Sequence, residues 1–226
     1  MSKYTITDSD VIYEDNHLII INKQAGLLSQ GDKTNDKSIL DYGKAYIKRK
    51  YDKPGAVFLG LPHRLDRPVS GAISLCKTSK SLTRMNKMIS ERKIDKTYHA
   101  IVMHKPKDAK GTITSYLRKN THKNKVDCFD QEVNNSKKAI LNWHYVKRIG
   151  NYYLLEVKLL TGRPHQIRVQ LNSINCPILG DVKYHRQKPL SDKSIALHSR
   201  FVEFVHPVSK EKISVKADYP DRPWWK

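Results

Sequence analysis

One carboxylate in this chain lies in a strongly basic stretch, where it can do chemistry. Asp66 is the only acidic residue between Asp52 and Glu91, and Arg64 and Arg67 flank it closely. Neighbouring cations favour the ionised form of a carboxylate, so Asp66 can serve as a nucleophile or a base toward an anionic substrate. The alternative role is structural, because an aspartate at a turn can also anchor a nearby arginine in an ion pair.

A second basic segment leads into a predicted helix. Residues 161–168 read Thr-Gly-Arg-Pro-His-Gln-Ile-Arg, and the proline at position 164 suits the first turn of a helix. Guanidinium groups at a helix N-terminus can hold an RNA phosphate or clamp a catalytic carboxylate in a two-point pair. Arg163 and Arg168 are the candidates for this role, and either can instead pair with a distant acid.

A third segment, residues 96–102, is a predicted strand that carries an aromatic side chain. Strand alternation places Lys96, Tyr98 and Ala100 on one face. Tyr98 can stack on a base that has left its helix, and it also offers a hydroxyl group. A tyrosine in a strand is more often part of the core, so this segment gains weight only together with the other two.

The charge of the chain indicates the class of its partner. Its 226 residues include 42 Lys and Arg against 22 Asp and Glu, a net charge of +20 that is spread along the whole length. Such an excess predicts a polyanionic partner. Nucleic acid is favoured over an anionic membrane, because the sequence shows no basic amphipathic helix with a bulky apolar face. Charge that serves only solubility is the other alternative.

The cysteines and the N-terminus indicate the compartment. Cys76, Cys128 and Cys176 are far apart and outside any Cys-x-x-Cys pair, which excludes a disulfide framework and a zinc knuckle. The N-terminus has no apolar signal core, and no apolar run is long enough to cross a bilayer. We therefore predict a cytoplasmic protein without membrane association, and we expect no metal or other cofactor.

The pattern of apolar residues predicts an α+β chain. Helices are expected after Ser38, after Thr78 and from Pro164 to Ile174. Strands are expected at residues 11–13, 18–21, 72–76, 97–102, 112–117, 139–146, 152–160, 195–205 and 213–215. The polar stretch from Arg118 to Lys138 is expected to be a mobile basic loop or an insertion. We expect one domain over residues 10–226, preceded by a flexible N-terminus at residues 1–9.

Together the three segments resemble the RluA-like family of RNA pseudouridine synthases. His63-Arg64-Leu65-Asp66 with Ser70-Gly71 is similar to the family's catalytic motif, Lys96-Thr97-Tyr98 resembles its tyrosine motif, and Gly162-Arg163 with residues 165–169 resembles its arginine motif. Residues 14–26 and Leu179-Gly180-Asp181 with Tyr184 also look like family segments. Five ordered segments over residues 10–217 make a far stronger signal than a single His-Arg-Leu-Asp.

The resemblance implies roles for individual residues. Asp66 would be the catalytic aspartate, Arg64 would help to flip out the target uridine or fill its place, and Tyr98 would pack on the uracil. Arg168 would pair with Asp66, with Arg163 as the alternative. The RNA-binding residues implied by the same motifs are Arg64, His63, Arg67, Arg163, His165, Gln166 and Lys96. For His63 we favour a role in shaping the loop over one as a general base.

The resemblance also implies a fold: one catalytic domain with a mixed, largely antiparallel sheet, flanking helices and a central RNA-binding cleft. We expect no small N-terminal domain of the S4 type, which many relatives carry, because the first predicted strand starts near residue 11. Substrate choice would then depend on the basic surface of the domain itself, with residues 105–138 as the first candidate. We expect a monomer with ribosomal or transfer RNA as its partner.

The implied reaction agrees with the residues. Isomerising uridine breaks the glycosidic bond, turns the uracil and rejoins it through carbon without redox change, which a carboxylate can support. Whether Asp66 attacks the sugar or takes a proton from it stays open at this point. Two rivals also stay open: an RNA-binding module without catalysis, and a nucleic-acid glycosylase that would release free uracil.

Overall fold

The computed structural model describes residues 4–121 and 124–226, and in this part of the chain there are ten strands and three α-helices. In chain order these are β1 (Val11–Glu14), β2 (Leu18–Lys23), α1 (Ile39–Lys50), β3 (Ser70–Cys76), α2 (Ser79–Ser90), β4 (Ile94–Val102), β5 (Lys110–Asn120), β6 (Lys125–Phe129), β7 (Lys137–Ile149), β8 (Tyr152–Leu159), α3 (Gln166–Ser173), β9 (Leu197–Val205) and β10 (Lys212–Lys216). Short 3-10 helices span Asp8–Asp10 and Pro223–Trp225.

The chain divides into two compact units. The first consists of Met1–Ile94 and Ser199–Asp218, and the second of Asp95–His198 and Tyr219–Lys226. The predicted flexible N-terminus falls partly on residues 1–3, which lie outside the described residues. Within the first unit Ile6 is buried.

The first unit has antiparallel strands covered by a helix. β2 pairs with β1 on one side and with β3 on the other, and β9, which borders β3, pairs with β10. All seven residues of β3 are buried, as expected of a central strand. The α2 residue Met85 is fully buried among side chains of β2, β3 and β9, and the partly buried Met88 packs against the same cluster.

The helices of the first unit begin where the sequence predicts. The carboxylate of Asp41 accepts a hydrogen bond from the backbone N–H of Ser38 at 2.8 Å, which closes a capping box at the start of α1. The hydroxyl of Thr78 accepts from the backbone N–H of Ser81 at 3.1 Å and caps α2. The predicted starts of both helices are therefore confirmed.

The second unit is an antiparallel sheet with one helix. Its strand order is β4-β8-β7-β5-β6, with β8 between β4 and β7 and with β5 between β7 and β6. Helix α3 packs on β5, β6 and β7 through Val169, which contacts Leu117, Val126 and Ala139. The predicted α+β class with largely antiparallel pairing is confirmed.

The prediction of a loop over residues 118–138 is wrong. Residues Lys125–Phe129 form β6, which pairs antiparallel with the end of β5 from Tyr116↔Phe129 to Asn120↔Lys125. Only Val126 of β6 is buried, and Cys128 is partly buried. Val126 and Cys128 alternate with charged residues over too few positions for a strand to be recognised in the sequence. In the structure these two side chains pack in the same cluster as Val169 of α3.

Helix α3 starts two residues later than predicted. His165 has a left-handed backbone conformation with φ of 53° and is the N-cap residue, so the helix begins at Gln166 rather than at Pro164. A non-glycine residue in this region costs free energy and persists only where other contacts hold it. At His165 one such contact is the hydrogen bond between its Nδ1 atom and the hydroxyl of Tyr184.

Candidate active site

The loop that carries Asp66 is anchored on both sides of the carboxylate. On one side the hydroxyl of Ser29 donates to the carbonyl oxygen of Leu65 at 2.6 Å and accepts from its backbone N–H at 3.0 Å. On the other side the N–H of Gly26 donates to the carbonyl oxygen of Arg67 at 2.7 Å. Asp66 itself is half-buried. The backbone around the carboxylate is thus fixed before any substrate arrives, which favours a reactive role.

A buried ammonium group supports the same loop. The side chain of Lys23, at the end of β2, is fully buried. Its Nζ atom donates to three carbonyl oxygens, of Gln24 at 3.1 Å, Leu27 at 2.8 Å and Arg67 at 3.4 Å. Burial lowers the pKa of Lys23 to about 7, and the negative charge of Asp66 opposes that shift.

Two of the motif residues next to Asp66 make local contacts. The Nε2 atom of His63 accepts a hydrogen bond from the backbone N–H of Ser74 in β3 at 3.0 Å, which supports a role in shaping the loop. Arg67 forms an exposed ion pair with Asp36 at 2.7 Å, and its Nε donates to the carbonyl oxygen of Gly26 at 3.0 Å. The acid that pairs with Arg67 is therefore Asp36.

Arg64, like Arg67, is exposed. It directly precedes the buried Leu65, whose backbone is anchored to Ser29. The backbone of Arg64 is therefore held in place while the residue itself is exposed to solvent. A long guanidinium side chain on a fixed backbone suits a group that reaches toward an anionic substrate.

In the second unit, the tyrosine motif lies on β4. Tyr98 is buried and lies opposite Val157 of β8. Lys96, two residues earlier, is partly buried, and burial lowers its pKa. The predicted strand over residues 97–102 is confirmed by its pairing with β8, but the part that Tyr98 plays in the reaction stays a prediction.

Arg168 forms a buried two-point ion pair with Asp181. Its Nε lies 2.7 Å from Oδ2 of Asp181, and its Nη2 lies 2.8 Å from Oδ1. Both side chains are almost fully buried. The ring of Tyr184 supports the guanidinium, with its centroid 5.2 Å from Cζ of Arg168. A pairing of Arg168 with Asp66 stays a prediction.

The other residues of the arginine motif hold the start of α3. The buried side chain of Gln166 accepts from the backbone N–H of Arg163 and from the hydroxyl of Thr161, both at 2.9 Å, and donates to the carbonyl oxygen of Ile140 at 3.0 Å. Nε of Arg163 donates to the carbonyl oxygen of Lys138 at 3.1 Å. These bonds fasten the turn before α3 to β7.

Lys23 and Asp181 were not assigned a function from the sequence, although both lie in segments that resemble the family. A signal was present for each. Lys23 ends the apolar run of β2, where a charged residue is unusual. Asp181 is the first acid after a long acid-free stretch that contains Arg163 and Arg168, which makes it their nearest candidate partner in the chain.

Neither a metal-binding cluster nor a membrane-spanning helix is found in the described part of the chain. Within residues 4–121 and 124–226 no three His, Cys, Asp or Glu side chains come together in a way that could hold a metal ion. In the same ranges no helix is long and apolar enough to span a membrane.

Comparison with known proteins identifies the family. The family model described as RNA pseudouridylate synthase matches residues 17–173. An uncharacterized RNA pseudouridine synthase of Synechocystis is 32% identical over 93% of this chain and 65% of its own length. The ribosomal large subunit pseudouridine synthase C of Rickettsia bellii is 32% identical over 95% of this chain and 70% of its own length. The chain thus spans about two thirds of the length of these relatives.

Solved structures share the fold. The human RNA pseudouridylate synthase domain containing 4 superimposes with a TM-score of 0.78 at 22% identity, over 94% of this chain and 89% of its own. The human domain containing 1 gives a TM-score of 0.72 at 19% identity, over 95% and 84%. These likenesses confirm the predicted fold, and the family match confirms the predicted family. The chain belongs to the RNA pseudouridylate synthase family.

Proposed function

We propose that this protein isomerises specific uridines to pseudouridine in ribosomal RNA, with Asp66 as the catalytic carboxylate. The observation that carries the proposal is the anchored loop around Asp66. Hydrogen bonds from Ser29, Gly26 and the buried Lys23 hold the backbone of this loop in place. Family membership supplies the reaction class, and relatives named ribosomal large subunit pseudouridine synthase supply the RNA class.

The reaction breaks the bond between N1 of uracil and C1′ of the ribose and forms a bond between C5 and C1′. The proton on C5 leaves to solvent, and N1 gains one, so that atoms and electrons balance without a redox partner. An ionised Asp66 supports this exchange either by attack on C1′ or by taking a proton from the sugar.

The target base must leave its helical stack to reach Asp66, which costs a few kcal/mol. We propose that Arg64 takes part in this step because it is exposed next to the carboxylate, and that Tyr98 packs on the flipped uracil. Arg168 would pair with Asp66, with Arg163 as the alternative.

The remaining motif residues divide by their contacts. Arg67, Arg163 and Lys96 retain cationic groups that can meet phosphate. His63 and Gln166 contribute through the backbone groups to which they bond, and His165 through its bond to the hydroxyl of Tyr184. The proposal also includes action as a monomer in the cytoplasm, which light scattering and cell fractionation can test.

Tritium release tests the function directly. Ribosomal RNA transcribed with tritium at uracil C5 is incubated with the protein, and the proposal expects release of label without loss of chain length or base content. Transfer RNA in a parallel arm tests the substrate class. Retained binding without release would identify a binding module, and free uracil with abasic sites would identify a glycosylase. Either result refutes the proposal.

A further inference from the structure

The hydroxyl of Tyr184 joins two parts of the second unit that are remote in sequence. It accepts a hydrogen bond from the backbone N–H of Val126 in β6 at 2.9 Å, and it lies 2.6 Å from Nδ1 of His165. A hydroxyl has one proton to donate. It also has two lone pairs to accept with, so it can bond to the Val126 N–H and to Nδ1 of His165 at once in either tautomer of the imidazole.

The His165 side of this bridge leads to Arg168. His165 is the left-handed residue from which α3 starts, and Arg168 lies in the first turn of that helix. The ring of Tyr184 also supports the guanidinium of Arg168 directly. Asp181, three residues before Tyr184, holds the same guanidinium by two bonds. One short segment, residues 181–184, therefore fixes both the side chain of Arg168 and the start of its helix.

The Val126 side of the bridge leads to the hairpin formed by β5 and β6. A second tie reaches the same hairpin, because Nζ of Lys183 donates to the carbonyl oxygen of Asn124 at 2.9 Å. The hairpin exposes Lys119 and Lys125. Exposed cations on a hairpin suit the phosphate backbone of RNA.

We propose that Tyr184 couples engagement of RNA by the β5–β6 hairpin to the placement of Arg168. Tyr184 is then a positioning residue, since it acts through His165 and Arg168. This inference rests on the proposed function, because it takes RNA as the substrate. A shift of the hairpin at Val126 moves the shared hydroxyl, and with it the contacts that set His165 and the guanidinium of Arg168.

The test is a double-mutant cycle with single-turnover tritium release from ribosomal RNA under saturating protein. The proteins are wild type, Tyr184→Phe, the hairpin variant Lys119→Gln/Lys125→Gln, and their combination. Tyr184→Phe keeps the ring and removes the bridge, and we expect about a tenfold slower turnover, a barrier change typical of lost polar positioning. RNA affinity should stay near the wild-type value, which separates positioning from binding.

The combination of variants decides whether coupling exists. We expect the two hairpin substitutions to slow turnover when Tyr184 is present. In the Tyr184→Phe background they should cause no further loss, because the hydrogen bonds of the Tyr184 hydroxyl are already absent. Tyr153→Phe, which removes a hydroxyl from β8 of the same unit, is the matched control and should turn over at the wild-type rate.

Several outcomes would overturn the inference. Multiplicative losses in the cycle, or a Tyr184→Phe protein with wild-type turnover, refute the coupling while leaving the proposed function intact. A wild type that releases no tritium refutes the proposed function instead. Should Tyr184→Phe fail to fold, Lys183→Met is the second variant, because it removes the bond to Asn124 and keeps the Tyr184 hydroxyl. We expect this substitution to slow turnover less than Tyr184→Phe, and to have no effect when the hairpin substitutions are also present. Unchanged turnover of Lys183→Met refutes the coupling.

Discussion

Arg168 and Asp181 face each other through two short hydrogen bonds, of 2.7 and 2.8 Å, in a site closed to solvent. The desolvation of two such charges is expensive, and good geometry offsets it only while both partners are present. The pair fixes the guanidinium plane of Arg168, because the two bonds come from two different nitrogens of that plane.

Asp181→Asn should be strongly destabilising. It keeps the size of the side chain but removes the negative charge that faces the buried Arg168 guanidinium across two short bonds, and we expect a loss of about 3–5 kcal/mol in the free energy of unfolding. Urea denaturation measures the loss. The control is Asp221→Asn, which breaks the exposed pair with Lys226 and should leave the urea midpoint unchanged. Equal effects of the two substitutions would contradict the structural role given to Asp181.

Lys23 should make stability depend on pH. Its pKa in the folded protein, about 7, is below the ordinary value of 10.5, so between these two pH values the unfolded chain binds more protons at this site. The free energy of unfolding should therefore rise with pH above 7, by no more than about 1.4 kcal/mol per pH unit. Denaturation between pH 7 and 8 measures this slope. At higher pH the thiol of Cys76 opposes the rise, because burial raises its pKa from 9.0 to about 12 and the unfolded thiol therefore ionises first.

Lys23→Met isolates that contribution. The variant should lose the rise in stability between pH 7 and 8 and be less stable overall, because three carbonyl oxygens lose their donor. Lys48→Met, at an exposed position of α1, should keep the wild-type slope. If Lys23→Met shows the same pH dependence as the wild type, the slope has another origin.

Secondary-structure elements could be predicted from the sequence where one short segment contains all the residues that determine the element. The hairpin of β1 and β2, the capped helices α1 and α2, and the buried strand β3 follow from apolar periodicity, turn residues and N-caps, each read within about a dozen residues. The three motifs that resemble the family were also recognisable locally, and they identified it correctly.

Other features depend on interactions between remote segments and could not be predicted. The strand β6 exists because Val126 packs under α3, far along the chain. Gln166 was assigned to RNA, and its bonds to Ile140 and Arg163 only become visible in three dimensions. The pairing of Arg168 with Asp181 became visible only in three dimensions, although the acid-free stretch before Asp181 was a sequence signal for it.

Gly71 should tolerate no side chain. Its φ is 110°, and a Cβ atom there would approach the backbone of Ser199 to 2.4 Å. Gly71→Ala should therefore cost at least about 2 kcal/mol in the free energy of unfolding through strain and overlap. Gly162→Ala is the control within the arginine motif, because its Cβ would meet nothing within 4 Å. Thermal unfolding of both variants checks the contrast, and similar melting temperatures would refute it.

RNA affinity should fall steeply with salt, because binding to phosphates releases counterions. If the hairpin of β5 and β6 binds the phosphate backbone of RNA, Lys119→Gln/Lys125→Gln should make the salt dependence weaker. The slope of the logarithm of the RNA-binding constant against the logarithm of the salt concentration should fall by about one for each lysine–phosphate pair that the substitutions remove. Filter binding at several salt concentrations gives the slope. A charge-matched pair in the first unit, Lys53→Gln/Lys216→Gln, should leave it unchanged, and a larger effect of that pair would place the RNA elsewhere.

Asp66→Asn asks most directly whether the carboxylate of Asp66 performs the chemistry. The amide keeps the size of the side chain and the anchoring bonds of its loop, so that RNA binding should stay close to that of the wild type. The decisive measurement is single-turnover release of tritium from uracil C5 in ribosomal RNA under saturating protein. We expect release by the wild type and none above background by Asp66→Asn, whereas substantial release by the variant would contradict a catalytic role for this carboxylate.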